Sequence, residues 1–120
     1  MLNLDTHILL HALSDGLTPK ETRLLAADSW SISAIVLWEI SKLAELGRIK
    51  VDLDDADLTR ILSRIHVWPI TLELCRTLRA LDFRSDPADQ LIAATSVFHR
   101  VPLVTRDKVI RKSRVVPLAR

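Results

Sequence analysis

A chain of 120 residues can bury one hydrophobic core but is short for two, so residues 1–120 are expected to form a single domain. With 48% hydrophobic and 27% charged residues the composition is that of a globular protein, and no apolar run reaches the ~20 residues that span a bilayer. The N-terminus lacks the basic segment and cleavage site of a secretory signal, which predicts a cytoplasmic protein. The lone Cys75 lies in an apolar helical pattern and is expected to fill the core.

Apolar runs with strand character alternate with segments of helical periodicity along the chain. The first run is MLNL, and the later ones are SWSIS, HVWPI, VPLVT and RVVPL. Helical periodicity covers IVLWEISKLAELG, DADLTRILSRI, TLELCRTLRALD and PADQLIAATSVFHR. Side chains that cap helix N-termini precede these segments at Ser33, Asp54, Thr71 and Ser85. The alternation predicts an α/β fold with three α/β/α layers around a mostly parallel central sheet of four or five strands.

Two acids directly follow predicted strands. Asp5 directly follows MLNL, and Asp107 follows VPLVT after one intervening residue. The carboxyl ends of parallel strands gather at one edge of a sheet, where ligands bind. Thr6 and Thr105 stand beside them, with hydroxyls that can orient a carboxylate or a water molecule. Taken alone, either acid is explained equally well as the cap of the next helix.

Glu39 lies on a helix face that periodicity predicts to be buried. It is three residues from Val36 and four from Leu43 in the apolar stripe of its helix. An ionised carboxylate in such a place is costly unless a cation or a metal ion compensates it. A salt bridge to an arginine would satisfy Glu39 as well as a metal ion would.

The segment SDPADQLIAATS carries two acids at the predicted first turn of a helix. Asp89 begins a stripe of small, closely packing residues, whereas its place at the helix start explains Asp86 without a function. Carboxylates that converge from separate segments repel one another unless a cation compensates them. Mg²⁺ or Mn²⁺ suits such ligands, and no His or Cys cluster has zinc spacing. His7 and His11, four residues apart on one expected helix, are interpreted as a polar helix face.

Basic residues concentrate at the C-terminal end, where seven of them from Arg100 onward stand against one acid, Asp107. Clustered cations suit partners that carry phosphate groups. A solvated surface that offsets the acidic stretch DLDDADL explains the same charges equally well. The candidates for phosphate contacts are Arg106, Lys108, Arg111 and Lys112.

Four segments, LDTHILLHAL, SAIVLWEISKLAELGRI, SDPADQLIAATS and VPLVTRD, follow one another in an order and spacing typical of a known family. Over essentially its full length the chain resembles a PIN domain, specifically the VapC-type toxins of bacterial toxin–antitoxin pairs. The resemblance implies a metal-dependent endoribonuclease that hydrolyses RNA with water activated by Mg²⁺ or Mn²⁺. By motif position the catalytic and metal-binding acids fall on Asp5, Glu39, Asp89 and Asp107, with Asp86 as an accessory ligand. Thr6 takes the place of the family's polar residue after the first acid.

The resemblance also implies partners. These are an RNA substrate, a cognate antitoxin whose C-terminal segment covers the acidic pocket, and a second copy of the chain in a homodimer, with no membrane involved. Trp30, Trp38 and Trp68 are candidates for an interface, although Trp68 fits the core better. Many relatives have an aromatic residue between the two acids of SDPAD, where this chain has Ala88, and that difference bears on substrate choice.

Three other functions fit parts of the pattern. A phosphatase of the haloacid dehalogenase type also begins with a strand that ends in Asp, but it needs a second Asp where this chain has His7. A receiver-like signalling domain needs paired acids after the first strand, and MLNLDTH offers one. A PIN-like scaffold that binds RNA or protein without cleavage would be favoured by loss of the acids, and all of them are present.

Overall fold

The computed structural model describes every residue from Met1 to Arg120. Its sheet contains β1 (Leu2–Leu4), β2 (Trp30–Ser33), β3 (His66–Trp68) and β4 (Leu103–Val104), in the order β3-β2-β1-β4. All three pairings are parallel, which confirms the predicted parallel sheet with four strands. The segment RVVPL is not a fifth strand, because it makes only one bridge, between Leu103 and Leu118. Pro117 has no N–H to extend a ladder there.

Seven helices surround this sheet: α1 (Thr6–Leu13), α2 (Pro19–Ala26), α3 (Ala34–Glu45), α4 (Ala56–Leu62), α5 (Leu72–Thr77), α6 (Pro87–His99) and α7 (Lys108–Arg111). A short 3₁₀ turn over Leu78–Ala80 continues α5. None of these helices combines the length and the apolar character that crossing a membrane requires. The predicted helices are therefore present, with ends that differ by a few residues.

The helix starts show which predicted caps are correct. The hydroxyls of Ser33 and Thr71 accept hydrogen bonds from the first turns of α3 and α5, as predicted. The predictions at Asp54 and Ser85 are wrong by one residue, because Asp55 and Asp86 occupy the cap positions of α4 and α6.

Helix α2 was not among the predicted elements, although its start carries a clear local signal. The Thr18 hydroxyl accepts from the Glu21 N–H (3.1 Å), and the Glu21 carboxylate accepts from the Thr18 N–H (2.8 Å). This reciprocal pair is a capping box, and Pro19 occupies the first helical position behind it.

Helices cover the sheet on both faces, which gives the predicted three layers. On one face the buried Asn3 amide donates to the Ile92 carbonyl (3.3 Å) and the Ser96 hydroxyl (2.9 Å), and so attaches α6 to β1. Leu2 and Leu4 point to the opposite face, because successive side chains alternate along a strand. Both leucines are buried, so that face is covered as well.

The strand order places a change of direction beside β1. From β1 the chain adds β2 and β3 on one side, and it then returns to place β4 on the other side of β1. Ligand sites of open α/β sheets form at such a switch point, beyond the carboxyl ends of the strands. The segments that leave β1 and β4 therefore border the candidate site.

Candidate active site

Asp5 lies at the end of β1, buried, with both carboxylate oxygens held by the protein. Oδ1 accepts from the Thr6 N–H (2.8 Å), which makes Asp5 the N-cap of α1, and Oδ2 accepts from the Thr105 hydroxyl (2.6 Å). Each carboxylate oxygen has two lone pairs, so one remains on each oxygen for a further partner. Capping and a place in the site are thus compatible for Asp5.

Asp107 follows β4 and caps α7 with one oxygen only. Its Oδ1 accepts from the N–H groups of Val109 (2.8 Å) and Ile110 (3.0 Å), and its Oδ2 accepts no hydrogen bond from the protein. The Asp107 N–H donates to the Thr105 hydroxyl (3.0 Å), which in turn donates to Asp5. Thr105 therefore joins the two acids that the sequence places a hundred residues apart.

Glu39 reaches the same region from the middle of α3. The Thr6 hydroxyl donates a short hydrogen bond to its Oε1, and no lysine or arginine forms an ion pair with it. The salt-bridge alternative for Glu39 is therefore wrong. Burial raises the pKa of the Glu39 carboxyl above its usual range, and the charges of Asp89 and Asp5 act in the same direction.

Asp89 lies in the first turn of α6, where the Ser85 hydroxyl donates to its Oδ2 (3.0 Å). Ser85, predicted as a helix cap, thus orients an acid instead. Burial raises the pKa of the Asp89 carboxyl, and the charges of Asp5, Asp107 and Asp86 raise it further. Asp86 is exposed at the N-cap of α6, and its side chain makes no capping hydrogen bond.

These acids surround one cavity of about 400 Å³ that no hydrophobic residue lines. Its lining residues are Asp5, His7, His11, Glu39, Asp86, Asp89, Arg106 and Asp107. The structure thus brings together all five acids that the sequence singled out, in what we call the carboxylate pocket. No three of the carboxylates and imidazoles stand close enough to share one metal ion as they are. The donor set nevertheless suits Mg²⁺ or Mn²⁺, since it is rich in carboxylate oxygens whose mutual repulsion a cation would relieve.

Each of the four principal acids accepts at least one hydrogen bond that orients its carboxylate. Asp5 has the Thr105 hydroxyl, Glu39 the Thr6 hydroxyl, Asp89 the Ser85 hydroxyl and Asp107 two backbone N–H groups. Such outer partners hold ligating carboxylates in place, and Asp86 has none. The structure therefore gives a physical distinction between four oriented carboxylates and one accessory.

Sequence reasoning missed three side chains here. His7 and His11, interpreted as a polar helix face, both line the carboxylate pocket. Glu21, an acid that no local pattern singled out, accepts two hydrogen bonds from Arg106, at 2.8 Å from Nε and 2.6 Å from Nη2. The four-residue spacing of the histidines on one helix face was the available signal for them. Nothing local could reveal the partner of Glu21, which lies 85 positions away.

The predicted cationic contacts divide into two groups. Arg106 lines the pocket, and Arg111 donates to the Thr105 carbonyl at 3.1 Å. Lys108 and Lys112 are exposed at the two ends of α7 and line neither this pocket nor a neighbouring cavity. Of the four predicted contacts, only Arg106 lines the carboxylate pocket, whereas Arg111 lines a neighbouring cavity.

The Glu21–Arg106 ion pair should make the folding stability of the protein depend on pH in the acid range. Arg106 lowers the pKa of Glu21 from 4.5 to about 2, so the folded state favours the ionised form. The stability that follows is present above pH 4.5 and is lost as the pH falls from there towards 2. We expect Glu21→Gln to lower the free energy of unfolding by roughly 1 kcal/mol at neutral pH. The difference from wild type should disappear as the pH approaches about 2.

Urea denaturation of both proteins at a series of pH values measures that difference. Glu45→Gln is the matched control, because Glu45 is an exposed acid whose only ion pair, with Lys42, is also exposed. A Glu21→Gln difference that is the same at acid and neutral pH would contradict the assigned pKa shift.

Known proteins resemble this chain in sequence and in fold. The PIN domain family model matches residues 3–115. Ribonuclease VapC22 of Mycobacterium tuberculosis (strain ATCC 25618 / H37Rv) is 35% identical over 91 residues, covering 73% of this chain and 70% of that protein. The family match includes all the residues that line the carboxylate pocket.

Two solved structures extend the likeness to the fold. A toxin–antitoxin complex from Klebsiella pneumoniae has a chain with a TM-score of 0.72 at 23% identity, covering 93% of this chain and 92% of that one. VapBC2 from Rickettsia felis, bound to a DNA fragment from its promoter, gives a TM-score of 0.73 at 21% identity and covers 99% and 98% of the two chains. From sequence and fold together, the chain belongs to the PIN domain family and, within it, to the VapC-type ribonucleases.

Proposed function

We propose that this protein is the endoribonuclease toxin of a toxin–antitoxin pair, and that it hydrolyses RNA phosphodiester bonds with Mg²⁺ or Mn²⁺ as cofactor. The observation that carries the proposal is the carboxylate pocket, where acids from four segments share one wholly polar cavity. Burial raises the pKa values of Glu39 and Asp89 there, and the charges of neighbouring acids raise them further, as is typical of functional carboxylates. We also propose a cytoplasmic location, because RNA, the proposed substrate, is found there.

In this proposal Asp5, Glu39, Asp89 and Asp107 hold the metal, and Asp86 is an accessory ligand. When bound, Mg²⁺ or Mn²⁺ supplies a water nucleophile of lowered pKa and offsets charge on the phosphate. The chain contributes orientation, because Thr105, Thr6 and Ser85 fix three of the acids through their hydroxyls. Arg106 lies at the edge of the pocket, where its guanidinium can bind a phosphate oxygen.

The antitoxin has a candidate docking surface beside the pocket. A groove of about 850 Å³ shares His7, Glu39 and Asp86 with the surroundings of the acids and carries Arg48 and Lys50. Its apolar lining residues are Leu10, Leu13, Leu43, Ile49 and Val51. We propose that an antitoxin segment with apolar side chains lies in this groove and covers the acids, as suits a chain whose structural neighbours include toxin–antitoxin complexes.

A homodimer is proposed through the outer face of α3. Trp38 and Leu37 on this helix are 55% and 38% exposed, and a large aromatic side chain in contact with water is typical of an interface. Trp68, by contrast, is half-buried and stacks on His99 with 3.8 Å between the ring centroids, but it lies outside the hydrophobic core in which it was expected.

Two alternatives have less support. A haloacid dehalogenase-type phosphatase needs an acid where His7 stands. A scaffold that binds without cutting gives no reason for four carboxylates to be individually oriented around one cavity.

RNA cleavage assays with purified protein test the proposed function. Structured RNAs, including transfer RNAs, are incubated with Mg²⁺, with Mn²⁺ and with excess EDTA. We expect cleavage with at least one metal and none with EDTA, since the carboxylates alone supply no activated water. Cleavage that survives EDTA would overturn the metal mechanism. Release of phosphate from small phosphomonoesters without any RNA cleavage would favour the phosphatase.

A further inference from the structure

A second cavity adjoins the carboxylate pocket across the end of β4. Its volume is about 320 Å³, and its charged lining residues are Lys20, Glu21, Arg106 and Arg111. Three of these four are cations, and the single anion, Glu21, is already bound by Arg106. We call this space the cationic cavity. Its charge is opposite to that of the pocket beside it.

Arg106 lines both cavities and is held rigidly between them. Of its five N–H groups, Nε and one of Nη2 bind Glu21, and the other of Nη2 donates to the Gly16 carbonyl (2.8 Å). Nη1 lies 3.1 Å from His11 Nε2, which must accept because a guanidinium only donates. One N–H of Nη1 therefore remains for a ligand.

Gly16 makes this arrangement sterically feasible. A Cβ atom at that position would lie 2.2 Å from His11 Nδ1, so only glycine leaves room for the ring. The ring in turn supports Arg106 from the side of the carboxylate pocket. The guanidinium is thus fixed by Glu21 on one side and His11 on the other.

The other two cations have donors to spare. Lys20 is exposed in the first turn of α2, and its ammonium group forms no ion pair or hydrogen bond with the protein. Arg111 uses one N–H of Nη1 for the Thr105 carbonyl, which points its side chain along the end of β4. Free donors on three cations around one cavity favour an anionic ligand.

We propose that the cationic cavity binds a backbone phosphate of the RNA next to the scissile one; this inference rests on the proposed function. Arg106 lines both cavities, so they are neighbours, and an RNA strand that crosses the end of β4 can present one phosphate to each. The carboxylate pocket needs a metal ion before it can accept a phosphate. The cationic cavity needs none, so it binds the strand and sets its register for cleavage.

Backbone neutralisation tests this subsite. A single-stranded RNA that the wild type cleaves is prepared with one phosphate at a time replaced by a neutral methylphosphonate, and kcat/KM is measured for each. We expect one non-scissile position where the replacement costs the wild type about 5- to 10-fold, within the range of the net contribution of one hydrogen bond. Lys20→Gln should cleave unmodified RNA more slowly and should lose a smaller factor than the wild type at that position, because Arg106 and Arg111 still contact the phosphate.

Lys42→Gln is the matched control, since Lys42 is an exposed lysine on α3 that lines neither cavity. It should show the wild-type pattern at every position. In salt titrations of RNA binding, the logarithm of the association constant is plotted against the logarithm of the salt concentration. Lys20→Gln should make the negative slope shallower by about 0.7, and Lys42→Gln should leave the slope unchanged. Melting temperatures equal to wild type confirm that both variants fold.

The outcomes separate this subsite from the proposed function. If the wild type cleaves RNA but every methylphosphonate affects it and Lys20→Gln equally, the subsite is wrong and the nuclease stands. If the wild type neither cleaves nor binds RNA with metal present, both fail. If Lys20→Gln cleaves RNA normally but binds a polyglutamate peptide less tightly than wild type, the cavity serves an acidic protein segment and the subsite is overturned.

Discussion

Asp89→Asn is expected to lower kcat/KM for RNA cleavage roughly 100- to 1,000-fold, the equivalent of about 3–4 kcal/mol of activation free energy. The substitution removes a negative charge from the carboxylate pocket without changing the shape of the side chain. Asparagine Oδ1 can still accept the hydrogen bond from Ser85, so the local geometry should persist. The loss then reports charge in the pocket rather than a change of fold.

The same substitution should raise the melting temperature by a few degrees in metal-free buffer at neutral pH. Burial and three neighbouring acids raise the pKa of Asp89, so the folded state binds a proton there more tightly than the unfolded state does. The stabilising contribution of the protonated Asp89 carboxyl is fully present below pH 3.8, its ordinary pKa. That contribution is lost as the pH rises through the raised pKa of the folded state. The advantage of Asp89→Asn should therefore appear at neutral pH and disappear below pH 3.8.

Asp57→Asn provides the matched control, because Asp57 is also an acid in the first turn of a helix but is exposed and paired with Arg60. It should leave cleavage unchanged and should not raise the melting temperature. If Asp89→Asn is instead less stable than wild type at neutral pH, or cleaves RNA normally, Asp89 is a structural residue and the pocket loses one of its principal acids.

Thr105→Val is expected to lower kcat/KM about 10- to 100-fold and to raise the half-saturating Mn²⁺ concentration by a comparable factor. Thr105 is a positioning residue: its hydroxyl donates to Asp5 and accepts from the Asp107 N–H, while the side chain itself is buried. Valine keeps the shape but leaves both acids without this link. Their carboxylates should then be less well oriented for a shared metal ion.

Thr95→Val controls for the loss of a buried hydroxyl, since Thr95 is buried on α6 and donates to the Leu91 carbonyl (2.7 Å) away from the pocket. It should reduce stability without moving the Mn²⁺ dependence. Thr105→Ser, which retains the hydroxyl, should recover most of the activity. An unchanged Mn²⁺ requirement in Thr105→Val would mean that the hydroxyl serves stability alone.

The acids that line the carboxylate pocket could be singled out from the sequence because each stands out against a local pattern. Asp5 and Asp107 interrupt the apolar pattern where strands end, and Glu39 lies on the apolar side of its helix. What a local pattern could not decide was the partner of each acid. Glu39 was as compatible with a salt bridge as with a metal, and only the structure shows that Thr6, not an arginine, contacts it.

The errors at element ends have a similar origin. Ser85 and Asp86 are both good N-caps by residue type, which alone does not decide between them, and Asp86 occupies the cap in the structure. RVVPL has the composition of a strand, yet the backbone of Pro117 limits its pairing to a single bridge. Local composition therefore predicts that an element exists better than it predicts where the element stops.

By itself the sequence determined the α/β class, the parallel sheet and the set of acids, because periodicity and strand ends are properties of neighbouring residues. The tertiary structure alone decided the strand order that brings Thr105 to Asp5, and the helix packing that brings Glu21 and His11 to Arg106. Those contacts join residues 85 to 100 positions apart. Their formation depends on how whole helices and strands pack against one another, which a short stretch of sequence cannot predict.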